Sequence, residues 1–286
     1  MIDLHLHTTA SDGRLTPPQL VARAAAAGIT TMSVTDHDTV AALAEAGVEA
    51  AARGIRFIAG IEITSVADER DVHLLGYFFD PASPALLTFL EGQRAQRVAR
   101  VREIGARLAT LGMPVDVESM VTAAATRPGT SIGRPQVARA LVAAGHVASV
   151  AEAFERWLAT GLPAFVPRTG PSPATVVAAI QAAGGVASFA HPAVTRRDAL
   201  IGPLAESGLD AIEVYHSDHM PEDVQLYRGL AQRLGILVSG GSDFHGEDPL
   251  APVERSRARR STLGAVMLPP DDLAALEQRA HARRPS

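Results

Sequence analysis

The chain contains no cysteine, which removes disulfides, thiolate nucleophiles and cysteine-ligated zinc. It contains no lysine either, all 26 basic residues being arginine. Schiff-base chemistry, a phosphate-loop lysine and a serine–lysine pair are therefore excluded. Recognition of an anion falls to arginine, histidine, backbone N–H groups or metal. Aromatic residues make up only 4% of the chain, which gives few stacking platforms for single-stranded nucleic acid. No apolar run reaches the ~18 residues needed to cross a membrane. Like charges do not cluster into a long run and the formal net charge is −5, which argues against a broad basic surface for long nucleic acid. Candidate chemistry starts at His5, leaving no room for a signal peptide, so a cytoplasmic protein is expected.

Hydrophobic residues fill 47% of 286 positions, ample for one large domain or one domain carrying an insertion. Ile2, Leu4 and Leu6 alternate with Asp3, His5 and His7. This two-residue period predicts a strand with both imidazoles on one face, where they can chelate one ion. Asp12 follows in a Thr/Ser/Gly turn, within reach of the strand end. Thr16-Pro-Pro-Gln19 starts a helix that Gly28 stops. A strand over 29–35, a helix from Thr39 through Arg53 and strands over 56–63 and 71–78 follow. This alternation predicts an α/β fold with a largely parallel sheet.

From about Pro84 to Pro167 the alternation lapses. Val98, Val101, Ile104, Leu108 and Leu111 recur at three- and four-residue steps, the signature of a long amphipathic helix. Arg134-Pro135 opens another helix, and Ser149-Val-Ala-Glu152 is a capping box for a third. We read residues 85–166 as a small inserted helical domain that binds substrate, within a metal-binding barrel domain of residues 1–84 and 167–286. In the second part, strands over 186–190, 210–215 and 236–239 alternate with helices over 174–183 and 221–234. About seven strands result, a count that a barrel closes more naturally than an open sheet.

Histidines and acids gather where these strands finish. Asp36-His37-Asp38 follows the second strand, Glu62 ends the third, His73 lies on the fourth, His191-Pro192 ends the fifth and Ser242-Asp243-Phe244-His245 follows the seventh. Carboxyl ends of barrel strands are where such folds build active sites, so a multinuclear metal site is predicted. Nitrogen and oxygen donors without sulfur suit Mn²⁺, Fe²⁺ or Zn²⁺, with Mn²⁺ favoured.

In this order, His-x-His, Thr-Asp-His-Asp, Gly-Ile-Glu, His73, Ala-His-Pro and Ser-Asp-Phe-His resemble the PHP (polymerase and histidinol phosphatase) superfamily of metal-dependent phosphoesterases. The resemblance spans residues 1–83 and 171–250. Within the insertion, Ser131-Ile-Gly-Arg-Pro135 resembles a narrower branch of nucleoside 3′,5′-bisphosphate phosphatases and 5′→3′ exoribonucleases. The resemblance implies a distorted (β/α)7 barrel with three divalent metal ions. It assigns His5, His7, Glu62 and Asp243 to the first ion. Glu62, His73 and His191 go to the second, and Asp12, His37 and His245 to the third. Glu62, Asp243 and His191 are the implied catalytic residues.

Three ionised acids beside three divalent ions leave a strongly positive site, which suits a phosphate ester dianion. The expected reaction is two-metal-assisted attack of hydroxide on phosphorus. Asp36 and Asp38 are candidate partners behind the ligand cage. Arg134, at a helix start that favours anions, is the leading substrate-binding candidate. Arg168, Arg196 and Arg197 flank the same mouth, and His216 and His219 are candidates for a substrate or proton role. The basic stretch Arg255–Arg260 is a candidate phosphate contact. The leading expectation is a phosphatase that converts a nucleoside 3′,5′-bisphosphate to a monophosphate. Alternatives are an AMP phosphatase, a 5′→3′ exoribonuclease on short RNA, a histidinol-phosphate phosphatase or a noncatalytic metal-bound docking module.

Overall fold

Short apolar stretches pair side by side in chain order into one seven-stranded sheet. In the computed structural model, which describes residues 1–127, 129–247 and 262–283, the strands are β1 (Ile2–Asp3), β2 (Thr31–Val34), β3 (Arg56–Ala67), β4 (Arg70–Tyr77), β5 (Val186–Phe189), β6 (Ala211–His216) and β7 (Leu237–Gly241). Beyond Asp3 the chain stays alongside β7. Leu4 N donates to Gly240 O (3.3 Å), Asp243 N to His5 O (2.9 Å) and His7 N to Phe244 O (3.0 Å). First and last strands therefore meet, and the sheet nearly closes into a barrel. Glycine is needed at 241 for this approach, because a Cβ there would stand 2.3 Å from His5 N. Asp3 Oδ1 ties the seam by accepting from Ser242 N (2.9 Å) and His5 N (3.3 Å).

The sheet is largely parallel, as the alternation predicts, with β4 the one strand that runs the other way. β3 and β4 form an antiparallel hairpin with Thr64 opposite His73, and β4 is antiparallel to β5 as well. Asp68 and Glu69 make the two-residue turn at φ +47° and +60°, the left-handed pair of a type I′ turn. Glu62 thus lies inside β3, which runs on to Ala67. Because β4 runs against the others, its first half reaches the barrel end where the parallel strands finish. His73 sits in that half.

Helices cover the barrel. α1 (Pro17–Ala26) buries Leu20, Val21 and Ala24 against it, and Gln19 Oε1 accepts from Thr16 N at 2.9 Å, as the capping pattern requires. α2 (Leu43–Ala52) starts later than expected. Thr39 instead caps the turn before it, accepting from Ala41 N at 3.1 Å, and donates to Gly129 O.

Between β4 and β5 come α3 (Pro84–Thr110), α4 (Val117–Ala125), α5 (Arg134–Ala143), α6 (Val150–Ala153), a π-helical turn (Phe154–Leu158) and α7 (Pro173–Ala182). The first turns of α3 place Leu86 and Leu90 in the barrel core. Its later turns place Val101, Ile104 and Leu108 in a separate cluster with Val137, Leu141 and Leu158. One helix therefore crosses the border expected at residue 85 and fixes the second cluster relative to the barrel.

After β5 follow α8 (Pro192–Thr195), α9 (Ile201–Glu206), α10 (Pro221–Leu234) and α11 (Pro270–Arg283). α11 is clamped to the barrel end opposite the histidines. Buried Asp210 accepts from Arg283 at 2.6 Å, Arg279 at 3.0 Å and Ala187 N at 3.0 Å. Burial alone would raise the Asp210 carboxyl, but the Arg283 and Ala187 hydrogen bonds hold it below the usual aspartate range. Its stabilisation is therefore present above that range and is lost as pH falls through the lowered pKa. Asp210→Ala is expected to cost about 3 kcal/mol, the low end for breaking a buried pair, because both arginines keep partial solvent contact. Thermal unfolding of the variant checks this; a melting temperature unchanged within a degree would contradict it.

Among the described residues no helix is long and apolar enough to cross a membrane. Arg255–Arg260 lies outside the described residues.

Candidate metal centre

Each barrel strand brings its polar residue to one end. His5 and His7 come from the extended chain after β1, His37 from the turn after β2, Glu62 from β3, His73 from β4, His191 from the end of β5, and Asp243 and His245 from the turn after β7. Three non-glycine residues at these ends hold left-handed backbone: Asp38 (φ +53°), His191 (φ +29°) and Asp243 (φ +56°). Strain of this kind persists where surrounding contacts enforce it, and it collects at functional sites.

Glu62, 1% exposed, is the hub. Its Oε2 lies 3.3 Å from His5 Nε2, 3.2 Å from His7 Nε2 and 3.2 Å from His37 Nδ1. Its Oε1 lies 2.7 Å from His73 Nδ1 and 3.1 Å from His191 Nε2. Asp243 Oδ1 stands 3.3 Å from His5 Nε2 and 3.2 Å from His7 Nε2. Asp12 faces His245 at 3.2 Å and both His7 and His37 at 3.7 Å.

Donor atoms converge in groups compact enough to hold an ion: His5, His7, Glu62 and Asp243; His7, Asp12, His37 and His245; His5, Glu213 and His216; and His37, Glu62 and His73. His191 adjoins the last through Glu62. His7 Nδ1 and Nε2, His37 Nδ1 and His73 Nδ1 are buried and make no hydrogen bond. Leaving buried polar atoms unsatisfied is costly. Nitrogen lone pairs aimed at carboxylate oxygens fit a cation between them, so the residues present suit the metals that the motif implies.

The electrostatics agree. Burial pushes His37 down to about 3, neighbouring Glu62 and Asp12 notwithstanding. Burial would lower His7 too, but Asp243 and Glu62 raise it to about 10. Burial likewise opposes Glu213, Asp243 and Glu62 at His5, and the acids win, holding it well above its ordinary value. Without cations the acids thus keep protons on these two imidazoles, and metal binding must displace them.

Above the cage opens a cavity of about 460 Å³, lined on the metal side by Asp12, His37, Glu62, His73, His191, Asp243 and His245. Its far wall carries Arg97, Arg100, Arg134 and Arg168. Arg97 and Arg168 both grip Asp38, Arg168 at 2.9 Å, and Arg97 also donates to Thr64 Oγ1 at 2.8 Å. Asp71 accepts from Arg134 at 3.0 Å and from Arg100 at 3.5 Å. The Arg134 guanidinium lies 6.0 Å from the Phe154 ring and 5.8 Å from Phe165. Burial, opposed by Asp71 and helped by Arg134 and Arg97, pushes Arg100 down to about 10. Cations are crowded here beyond what Asp38 and Asp71 neutralise.

Several expected residues sit elsewhere. Arg197 turns away to Ala67 O (3.2 Å) and the Asp68 carboxylate at the hairpin tip. Arg196 faces a different surface pocket with Asp198 and Tyr227. His216 and His219 are buried beside the cage rather than lining the cavity. His216 Nε2 lies 3.4 Å from Asp243 Oδ2, and His219 Nδ1 donates to Val214 O at 2.8 Å. Asp36 does not reach a histidine side chain; it holds the loop bearing Asp12 by accepting from Thr8 N (2.7 Å), Thr8 Oγ1 (2.6 Å) and Ser11 Oγ (2.5 Å). Asp38 grips the arginines instead.

Sequence reasoning passed over Arg97, Arg100, Asp71, Phe154 and Glu213. Glu213 had a readable signal: strands of a helix-covered barrel are buried on both faces, and an acid inside one needs partners.

Comparison with known proteins agrees with this geometry. A model of the PHP domain matches residues 3–128. The chain is 36% identical over 249 residues to a 3′,5′-nucleoside bisphosphate phosphatase of Chromobacterium violaceum, covering 85% of this chain and 87% of that one. It is 36% identical over 248 residues to a 5′-3′ exoribonuclease of Haemophilus influenzae, covering 85% and 89%. A solved structure from Bifidobacterium adolescentis, assigned to the metal-dependent phosphoesterases, superposes with a TM-score of 0.85 at 32% identity, over 97% of this chain and 96% of that one. With its histidine-rich barrel end and these relatives, the chain belongs to the PHP family of metal-dependent phosphoesterases.

Proposed function

We propose that the protein hydrolyses nucleoside 3′,5′-bisphosphates to a monophosphate and phosphate. One observation carries the reading: the cavity has a histidine–carboxylate cage on one side and an arginine wall on the other, at a fixed spacing. His73 and Asp71 line the same cavity from alternate positions of β4, so they stand roughly 7 Å apart along the strand. The lower level is the histidine–carboxylate cage. The upper is Asp71 with Arg100 and Arg134. That step is comparable to the separation of the two phosphates across one nucleoside. Likeness to a bisphosphate phosphatase over most of both chains supports it.

In this reading three divalent ions, Mn²⁺ first among Mn²⁺, Fe²⁺ and Zn²⁺, would be held by His5, His7, Glu62 and Asp243, by Glu62, His73 and His191, and by Asp12, His37 and His245. Bound there, they supply Lewis acidity and a nucleophile at neutral pH. The chain's own residues do the rest. Glu62 holds both halves of the cage in register, and Asp36 keeps the Asp12 loop closed. Residues 85–166 act as the substrate-binding unit: Arg97, Arg100 and Arg134, with Arg168 beside them, hold the second phosphate, and Phe154 offers a flat apolar surface for the nucleoside. Fixing both phosphates leaves the scissile ester aimed at the cage, a positional gain.

Arg134→Ala is expected to lower kcat/KM by roughly 10–150-fold, the cost of about 1.5–3 kcal/mol for a lost hydrogen bond to a charged group. Lysine at 134 restores part of it, lacking the planar fork. Unchanged kinetics on every nucleotide would remove residues 85–166 from substrate recognition.

The reading is tested by product formation, phosphate or mononucleotide separated by chromatography, from a panel with and without Mn²⁺: adenosine 3′,5′-bisphosphate, AMP, 5′-phosphorylated oligonucleotides and histidinol phosphate. The bisphosphate is expected to have the highest kcat/KM. Preference by tenfold or more for oligonucleotides would replace this reading with the exoribonuclease one, to which the chain's relatives point equally.

A further inference from the structure

Glu213 is a charged residue with no exposed surface at all. It sits on β6 between Ile212 and Val214, beneath the cavity rather than in it. Nothing in the phosphatase reading uses it, so its burial needs a cause. Each carboxylate oxygen has one partner. Oε1 accepts from His5 Nδ1 at 2.9 Å, and Oε2 accepts from the backbone N–H of His191 at 2.8 Å.

These two partners have stacked rings, 5.9 Å between centroids, but face different oxygens of Glu62. His5 Nε2 faces Glu62 Oε2 at 3.3 Å, whereas His191 Nε2 faces Glu62 Oε1 at 3.1 Å. A single buried carboxylate thus ties a histidine from the barrel seam to a histidine from β5. The tie at His5 also fixes chemistry. With Nδ1–H donated to Glu213, Nε2 is the nitrogen left facing Glu62 and Asp243, the one that would give up its proton to a metal. At His191 the bond meets a residue in left-handed backbone, φ +29°, a conformation that needs an outside restraint.

We propose that Glu213 is a positioning residue for the metal centre: it sets the tautomer of His5 and the backbone of His191 so that both imidazoles converge on Glu62. This rests on the metal-centre reading above. A carboxylate partner behind a ligating histidine typically changes metal affinity by roughly 10–100-fold. Glutamine is the discriminating substitution, because it keeps the shape but has one acceptor for two donors. Its NH₂ must face either His5 Nδ1, which forces the opposite tautomer, or His191 N–H, which loses the backbone tie.

The experiment is Mn²⁺ titration of chelator-stripped protein, followed by the electron paramagnetic resonance of free Mn²⁺, for the wild type and Glu213→Gln. Circular dichroism checks that the variant is folded. We expect a roughly 10–100-fold loss of Mn²⁺ affinity in the variant. Turnover measured at limiting Mn²⁺ should fall, return towards wild type at high Mn²⁺, and leave KM for nucleotide within about threefold. Affinity within about threefold of wild type overturns the proposal. So does a turnover defect that saturating Mn²⁺ does not repair, which would give Glu213 a different role. Wild type that binds no Mn²⁺ instead overturns the metal-centre reading.

If Glu213→Gln does not fold, the ¹⁵N shifts of His5 in the Zn²⁺-loaded wild type decide. Protonated Nδ1 with Zn²⁺-bound Nε2 supports the proposal, and the reverse arrangement sinks it.

Discussion

Glu62→Gln is expected to lower phosphate release by at least about 10²–10³-fold, the loss typical of removing one strong electrostatic stabiliser. No other residue of the centre faces so many ligand atoms. Its two oxygens face five histidines, three from Oε2 and two from Oε1. Glutamine keeps the length and the buried volume, so the barrel should fold. What it removes is a charge shared by both halves of the cage, and it sets an NH₂ against imidazole lone pairs. Burial would raise the Glu62 carboxyl, but His37, His73 and His5 hold it well below its usual value, so it is ionised throughout the working range. Steady-state turnover at saturating Mn²⁺ measures the effect. A variant within tenfold of wild type would show that Glu62 does not join two metal positions.

Stripping the protein with EDTA is expected to abolish activity and lower its melting temperature. Three acids and the histidines around them are packed at 2.7–3.7 Å, with the acids buried. Without cations His5 and His7 must hold protons against burial. Metal that binds only the folded chain adds about 2.7 kcal/mol per ion at a hundredfold excess over Kd. For a chain of this size that is roughly 4–5 °C per ion. The pH dependence has a definite sign: because both imidazoles are raised, acid favours the protonated, metal-free cage, so affinity falls as pH falls. Calorimetry of stripped and reloaded protein, with metal analysis, checks the expectation of close to three ions. An unchanged melting temperature would contradict it.

Much of the cage could be read from the chain because polar residues interrupt apolar strands at their ends. Nothing in a barrel core explains His5, His7, His37, His191 and His245 at those positions except a shared ligand. Other features were hidden for physical reasons. The β3–β4 hairpin turns on Asp68-Glu69, which lacks the glycine or asparagine that usually marks left-handed φ, so the antiparallel β4 read as one more parallel strand. Arg97 and Arg100 lie on a helix whose periodicity shows its apolar side only; the target of its polar side depends on tertiary packing. Arg197 was misjudged because adjacency to His191 in sequence says little once the chain turns through Arg196 at φ +54°. His216 and His219 follow β6, but they are buried beside the cage, under rather than in the cavity.

The two-level cavity is the core of the account, and one ratio tests it most directly. kcat/KM for adenosine 3′,5′-bisphosphate is divided by that for 3′-AMP, with products identified by chromatography, in the wild type and in Arg134→Ala. Both substrates present the same 3′-phosphate; only the bisphosphate can also reach Arg100 and Arg134. The account predicts a wild-type ratio above about tenfold, matching one hydrogen bond to a charged group, release of the 3′-phosphate to give AMP, and collapse of the ratio towards one in the variant. A wild-type ratio near one, or a large ratio that Arg134→Ala leaves intact, would contradict it.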